Sequence, residues 1–204
     1  MRTLLTWIMT AAVSLVAPVT VVIAADKPVL TIYTYESFTS EWGPGPAIEM
    51  AFEENCICDL QFVSLDSSIG ILGRVQLEGA GSKADIVLGL DTNLMATARD
   101  TGLFAPHGIN LAGRTSLPVD FTDDMFVPFD WGHFAFVYNS KTMAQPPVSM
   151  QELVDAPESL RIVIQDPRTA TPGLGLLLWV KSVYGDDAPE AWAKLAPKIV
   201  TVTK

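Results

Sequence analysis

The sequence is poor in the side chains that most catalytic and metal sites use. It contains two histidines and two cysteines in 204 residues, and it lacks the G-x-S-x-G, H-E-x-x-H and P-loop motifs. No nucleophile with an accompanying base can be recognised. We therefore predict no catalytic residue, no metal site and no cofactor, and we expect the protein not to be an enzyme.

Basic residues are also scarce. The chain has 13 Lys and Arg against 23 Asp and Glu, a net charge of −10. Without residues 1–24, which contain Arg2 and no acid, the net charge becomes −11. Such a chain repels phosphate backbones and lacks the basic clusters that neutralise them, so we exclude nucleic acid as a partner. A small cationic ligand is compatible with this charge.

Only one long hydrophobic run is present, from Leu4 to Val22. A single charge, Arg2, precedes the run, and small residues, Ala24 and Ala25, follow it. This order is typical of a secretory signal, so we predict a signal peptide over residues 1–24, cleaved after Ala24 or Ala25, and an exported protein. The alternative is an uncleaved membrane anchor, because the run approaches the ~18 to 20 residues that span a bilayer.

The two cysteines, Cys56 and Cys58, are separated by one residue. An exported protein can form disulfides. Residues two apart in an extended strand, however, lie near the upper distance limit for a bridge. The sequence leaves both a disulfide and two free thiols open.

Segments with strand and helix patterns alternate along the first half of the chain. Strand patterns cover residues 29–35, 60–63 and 84–89, and helical patterns cover 47–54, 69–77 and 93–99. Pro46 is predicted to be the first residue of its helix. This alternation predicts an α/β fold with a largely parallel sheet.

A long aromatic segment, residues 125–139, is interrupted by Pro128 and Gly132. We predict that it is extended and crosses from one lobe to another near residues 128–132. Helices are predicted over 149–154, 172–184 and 189–196, and strands over 161–165 and 198–204. The predicted domains are the signal peptide, 1–24, the first part of lobe 1, 25–128, and the first part of lobe 2, 129–204. The last strand ends uncovered, so we expect the chain to be truncated within its fold.

Two junctions between a strand and a helix are the best candidates for a binding site. At residues 165–173, Thr171 is predicted to cap the helix and Pro172 to begin it. The free N–H groups and the helix dipole favour an anion there, with Thr169 and Thr171 as hydroxyl donors. The alternative is an ordinary capped helix. Ser67 and Ser68 begin a helix at the other junction, and both junctions lie at carboxyl ends of strands, where α/β folds bind ligands. We expect the two helix starts to face each other.

Several aromatic residues lie near predicted strand ends. Most are predicted to be core residues, with one or two in the cleft, where they would stack on a cationic ring. They are Tyr33, Tyr35, Phe38, Trp42 and Trp131.

Isolated polar residues are given structural roles. His133 is predicted to be packed in the core. Asp85, Asp91 and Asp130 are predicted to be caps or hydrogen-bonding residues of the cleft.

The segments 31–38, 41–46, 82–91 and 165–176 together resemble the periplasmic thiamine-binding proteins of bacterial ABC importers. The resemblance extends over nearly all of the chain after the signal. It implies a two-lobed type II periplasmic-binding fold, monomeric, that closes on thiamine or its mono- or diphosphate. It further implies delivery to an inner-membrane permease with its ATPase, without catalysis.

The resemblance places ligand contacts at Ser67, Ser68, Ala170 and Thr171. Relatives commonly carry Asp-Gly in place of Ser67-Ser68, and Ser in place of Ala170, so an acid that would pair with the ligand's cation is replaced. Further aromatic contacts of the family follow Lys204, so we expect the chain alone to bind weakly or not at all. The alternatives are a receptor for another small solute, such as iron or a polyamine, and a periplasmic enzyme acting on a phosphate ester at Thr171.

Overall fold

The computed structural model describes residues 27–111, 117–118 and 120–203. The predicted signal peptide, residues 1–24, and Lys204 lie outside these residues. The described residues form five strands and seven α-helices, together with three short 3-10 turns at Gly79–Gly81, Gly185–Asp187 and Ala196–Lys198. Among the described helices, none has both the length and the apolar content needed to cross a membrane.

The first unit, which we define as the described part of residues 27–130, contains a parallel sheet of three strands. Its helices are α1 (Glu36–Thr39), α2 (Gly45–Asn55), α3 (Ser68–Glu78) and α4 (Met95–Asp100). Its strands are β1 (Val29–Tyr35), β2 (Asp59–Leu65) and β3 (Ile86–Val87), in the order β2-β1-β3. The central strand β1 pairs along its full length with β2, from Val29 opposite Asp59 to Tyr35 opposite Leu65.

Two sequence predictions in this unit need correction. The helix predicted to begin at Pro46 begins one residue earlier, at Gly45. The strand predicted over 84–89 is limited to two residues. Its end is set by Gly89, whose φ of +104° leaves extended geometry. A Cβ there would lie 2.5 Å from the ring of Tyr35, so only glycine fits.

The core of the first unit lies between α3 and β1, where Tyr33, Ile71 and Val75 are buried. On the other side of the sheet, Phe38 is buried. Its ring meets those of Tyr35, Phe62 and Phe129 edge to face, with centroids 5.6 to 5.8 Å apart. Such edge-to-face pairs stabilise aromatic clusters beyond the area they bury.

The second unit, defined as residues 134–203, has a sheet of two parallel strands covered by helices. Its elements are α5 (Met150–Asp155), β4 (Ile162–Gln165), α6 (Thr171–Tyr184), α7 (Ala188–Leu195) and β5 (Ile199–Thr203). The strands pair from Ile162 opposite Ile199 to Gln165 opposite Thr203, with a register shift after Ile162. The parallel strands of both units confirm the predicted α/β class.

The buried hydrophobic residues of the second unit form a single core. Nine buried residues form one cluster, contributed by α5, β4, α6 and α7: Met150, Leu153, Val154, Ile162, Leu176, Val180, Ala188, Ala191 and Leu195. At its edge Lys198 is only 2% exposed. Its ammonium donates hydrogen bonds of 2.8 Å to the carbonyls of Val154 and Lys194. One ammonium group therefore binds free carbonyl groups at the carboxyl-terminal ends of two helices, α5 and α7.

The aromatic segment 125–139 forms no strand. Phe129 packs against Phe38 of the first unit. The ring of Phe134 lies against Gly175 of α6, and Phe136 lies beside Trp179 of α6 at 6.4 Å. The chain thus passes from one unit to the other between residues 129 and 134.

The predicted core position of His133 is wrong. The residue is exposed and lies edge-on to Trp131 at 5.5 Å. The prediction assumed a paired strand here, and no described strand neighbours this segment to bury its side chains. The domain limits inferred from the sequence stay a prediction.

The two cysteines are joined in a disulfide, with their Cα atoms 5.2 Å apart. The bond lies between α2 and β2, where the backbone leaves the helix at Cys56 in an extended conformation. This resolves the alternative that the sequence left open.

Candidate functional site

The start of α6 is shaped by the turn that follows β4. The carbonyl of Asp166 accepts hydrogen bonds from the N–H groups of Thr169 (3.1 Å) and Ala170 (2.9 Å). The Asp166 carboxylate accepts from the side chain and the backbone N–H of Arg168, and these bonds lower its pKa to about 2. The chain is therefore held compact immediately before the helix begins.

Gly173, in the first turn of α6, lies directly against the end of β4. A Cβ at this position would lie 2.4 Å from the carbonyl oxygen of Gln165, a distance that no side chain tolerates. The absence of a side chain brings the start of the helix onto the carboxyl end of the strand, as in other folds where a helix start binds a ligand.

The predicted capping role of Thr171 is wrong. Ala170 occupies the cap position in extended conformation, and Thr171 is the first helical residue, so Pro172 is the second. The Thr171 hydroxyl instead donates a hydrogen bond to the Asp91 carboxylate of the first unit, at 2.5 Å. The hydroxyl thus donates to a charged acceptor in the other unit, whereas a capping hydroxyl would accept from a backbone N–H of its own helix. The Thr169 hydroxyl is buried and has no hydrogen-bond partner among the described residues.

The start of α3 is capped by Ser67. Its hydroxyl oxygen accepts a hydrogen bond of 3.1 Å from the N–H of Gly70. The same hydroxyl donates to the carboxylate of Asp66 at 3.2 Å. A Cβ at position 70 would lie 2.7 Å from that carboxylate, so glycine leaves room for the acid beside the helix start.

The two helix starts meet across the units. The hydroxyl oxygens of Ser68 and Thr171 are 3.5 Å apart, although 103 residues separate them in sequence. Both helices are long enough to carry a full dipole, with 11 residues in α3 and 14 in α6. Two positive helix ends therefore converge on one region, which favours an anionic or hydrogen-bond-accepting group.

Asp91 is the acidic member of this region. One carboxylate oxygen accepts from the N–H groups of Asn93 (2.9 Å) and Leu94 (3.2 Å), and the other accepts from Thr171. The sequence predicted either a cap or a cleft hydrogen bond for this residue. It is not a helix cap, because Leu94 occupies the cap position of α4; its carboxylate holds the turn before α4 and binds Thr171 of the second unit. What the sequence did not indicate is its contact with Thr171, because nothing local in either segment points to the other.

The other isolated acids have structural contacts. Asp85 accepts a hydrogen bond of 2.8 Å from the backbone N–H of Thr31 and so joins the segment before β3 to β1. Burial, assisted by the negative charge of Asp130, raises the pKa of Tyr35.

Of the five aromatic candidates, only Tyr33 and Phe38 are buried and Tyr35 is half-buried, so the prediction that most are core residues holds for two of them. Trp42 and Trp131 are exposed, at 80% and 54%. A role for any of the five in stacking on a ligand stays a prediction.

Neither histidine takes part in this region. His107 binds the carbonyl of Asp123 through one ring nitrogen and the N–H of Ile109 through the other. His133 lies beside Trp131. Within the described part of the chain, no group of three or more His, Cys, Asp or Glu side chains could hold a metal ion. The converging groups are suited to binding an oxygen-rich ligand.

Comparison with known proteins shows the family to which the chain belongs. A family model described as bacterial extracellular solute-binding protein matches residues 81–203. A thiamine-binding periplasmic protein of Escherichia coli (strain K12) is 55% identical over 178 residues, which make up 87% of this chain and 54% of the relative. The chain thus spans about half the length of the curated relatives it matches.

Solved structures extend the comparison. A periplasmic thiamin binding protein superposes with a TM-score of 0.83 at 55% identity, over 87% of this chain and 56% of the other. An iron-bound HitA from Pseudomonas aeruginosa reaches a TM-score of 0.65 at 20% identity, over 87% and 56% of the two chains. The second likeness shows that the fold is shared, and says nothing about the ligand.

Proposed function

Because the chain belongs to the family of bacterial extracellular solute-binding proteins, we propose that the protein carrying it binds thiamine and its mono- and diphosphate. The observation that carries the proposal is the meeting of Ser68 and Thr171, 3.5 Å apart, at two helix starts from opposite units. The predicted resemblance to thiamine-binding proteins is confirmed by the similarity of sequence and fold.

The proposed ligand fits the chemistry of this region. Thiamine has a cationic ring and a short tail that ends in a hydroxyl or in phosphate. The backbone N–H groups that begin α3 and α6 would bind the tail, near Ser67, Ser68, Ala170 and Thr171. The acidic surroundings, with Asp66 at one helix start and Asp91 bound to the other, suit the cation.

The same proposal covers the protein's location and partners. The protein is exported by a signal peptide that ends at Ala24 or Ala25 and works as a monomer in the periplasm. It delivers its ligand to an inner-membrane permease driven by an ATPase. The contacts of Phe129 and Phe134 support a crossing between lobes at residues 130–133, beside the limit at 128 and 129 predicted from the sequence.

Calorimetry tests the proposal on the secreted protein expressed from its complete gene. We expect saturable heat with thiamine and thiamine phosphate. Thr171→Val should weaken thiamine binding about tenfold or more, because it removes a hydrogen bond between the units to a charged acceptor, and such bonds contribute about 1.5 to 3 kcal/mol. Thr142→Val, at an exposed threonine in a turn of the second unit, is the matched control and should leave affinity unchanged.

The same titrations distinguish the alternatives. Heat with ferric ion or spermidine, and none with thiamine at high-micromolar concentration, would reject thiamine in favour of another solute. Release of inorganic phosphate from thiamine phosphate would support an enzyme instead. We expect neither result, because the site has converging donors and neither histidine reaches it.

A further inference from the structure

We infer that Asp91 is a specificity-determining residue of this site. Its carboxylate, bound to the first residue of α6, disfavours binding of a phosphorylated tail. Thiamine with a free alcohol therefore binds with an affinity close to that of its phosphorylated forms. The inference rests on the proposed function, since it concerns which form of that ligand the site prefers. It does not follow from the resemblance, which placed ligand contacts at residues 67, 68, 170 and 171.

The carboxylate of Asp91 is held in place from both sides. On the first unit, the N–H groups of Asn93 and Leu94 bind one oxygen at 2.9 and 3.2 Å. On the second unit, the Thr171 hydroxyl binds the other oxygen at 2.5 Å. An acid fixed by three donors cannot turn away from an incoming anion without losing hydrogen bonds.

The hydrogen bond also decides what Thr171 can offer a ligand. A hydroxyl has a single proton, and here that proton is given to Asp91, so the oxygen of Thr171 can only accept. The nearby Ser68 hydroxyl, at 3.5 Å, is then the donor of that pair. An alcohol can donate to the Thr171 oxygen, whereas an ionised phosphate has only acceptors.

The negative charge of Asp91 also favours the free alcohol over phosphate. Any group bound by the N–H donors of the first turn of α6 lies close to Thr171, and therefore close to this carboxylate. Two negative charges at such short range repel each other more strongly near a protein surface than in bulk water. The helix dipoles attract phosphate and Asp91 opposes that attraction, so the net preference between the two tails is small.

The test compares two dissociation constants in the whole secreted protein. Calorimetry gives Kd for thiamine and for thiamine diphosphate, with the unaltered protein and with Asp91→Asn. We expect the ratio of Kd for diphosphate to Kd for thiamine to fall by about tenfold or more in the variant, which corresponds to about 1.4 kcal/mol. If Asp91 had only a structural role, the variant would bind both ligands more weakly by the same factor, and the ratio of the two Kd values would not change.

Three further variants complete the design. Asp85→Asn removes a charge from the same unit at a residue bound to Thr31, and should leave the ratio unchanged. Asp91→Glu keeps the charge and should keep the ratio within about threefold, about 0.7 kcal/mol. If melting shows that Asp91→Asn is unfolded, Asp91→Ser replaces it, since serine retains an oxygen for the turn before α4.

The outcomes separate the inference from the function on which it rests. An unchanged ratio in a folded variant that still binds thiamine overturns the role of Asp91 and leaves thiamine binding intact. A shift of the same size in Asp85→Asn overturns it as well, because the effect would then follow net charge. If the unaltered protein binds neither ligand at millimolar concentration, the proposed function fails and the inference fails with it.

Discussion

The two units of the chain differ in how sheet and core are related. The first has three strands and a buried cluster of three residues between α3 and β1. The second has only two strands, yet nine buried residues form one cluster. Each unit has nine buried hydrophobic residues among the described ones, so the two units differ in how these residues are grouped. In the first unit the buried residues are divided between the two faces of the sheet, with Tyr33 and Ile71 on one side and Phe38 on the other, whereas those of the second unit form one cluster.

The reason lies in how the helices are arranged. In the second unit α5, α6 and α7 share a single apolar centre, and Lys198 ties the ends of α5 and α7 together. In the first unit α2 contributes Gly45 as its only buried residue, and its Met50 and Phe52 are exposed. We therefore expect the second unit to be the more stable of the two.

The largest effect should come from cutting a side chain out of each core. Leu195→Ala, at a residue 1% exposed, should lower the free energy of unfolding by about 4 kcal/mol, since its buried neighbours cannot collapse into the cavity. Ile71→Ala, at a residue fully buried in the smaller cluster, should cost about 2.5 kcal/mol. Denaturant unfolding followed by hydrogen exchange measures both and locates each loss in its own unit. Equal costs, or loss of protection in both units together, would contradict the comparison.

A smaller effect should come from the buried ammonium. Lys198→Met keeps most of the volume but leaves the carbonyls of Val154 and Lys194 without their donor. Because an unsatisfied buried acceptor costs about 1 to 3 kcal/mol, we expect a loss of about 2 kcal/mol. Lys194→Met is the matched control, since its ammonium pairs with Asp155 at the surface and should matter little. A thermal shift no larger than the control's would show that water reaches these carbonyls.

The smallest effect should be on acid sensitivity. The pKa of Asp166 is lowered from 3.8 to about 2 by Arg168, so the folded state favours the ionised acid. This stabilisation is fully present above about pH 4 and is lost as the pH falls from about 4 to 2. Melting temperatures across that range should fall more steeply for the unaltered protein than for Asp166→Asn. Parallel curves would mean that the pair with Arg168 does not stabilise the second unit.

Much of the fold could be predicted from the sequence because its signals are local. Runs of β-branched residues marked β1 and β4, and apolar periodicity marked α3 and α6 within one or two residues. The errors occur where a distant contact decides. The end of β3 depends on the ring of Tyr35 beside Gly89, and the exposure of His133 depends on the absence of a neighbouring strand among the described residues.

The candidate site also has a part that local sequence signals predict and a part that depends on a distant contact. The two helix starts were recognised from short polar residues after strands, and the structure brings Ser68 and Thr171 together as expected. The bond from Thr171 to Asp91 joins segments 80 residues apart, so no local pattern could reveal it. The capping prediction failed for a different reason: α6 begins one residue earlier than predicted, at Thr171, so Ala170 takes the cap position.

The crossing between the units carries its own spectroscopic probe. Phe129 is fixed to one unit and Phe134 to the other, which leaves Trp131 and His133 between them. The indole ring stands at 84° to the imidazole, with the centroids 5.5 Å apart. A rotation of one unit against the other that bends this segment would change this angle, and the intrinsic fluorescence of Trp131 would report it without an added dye.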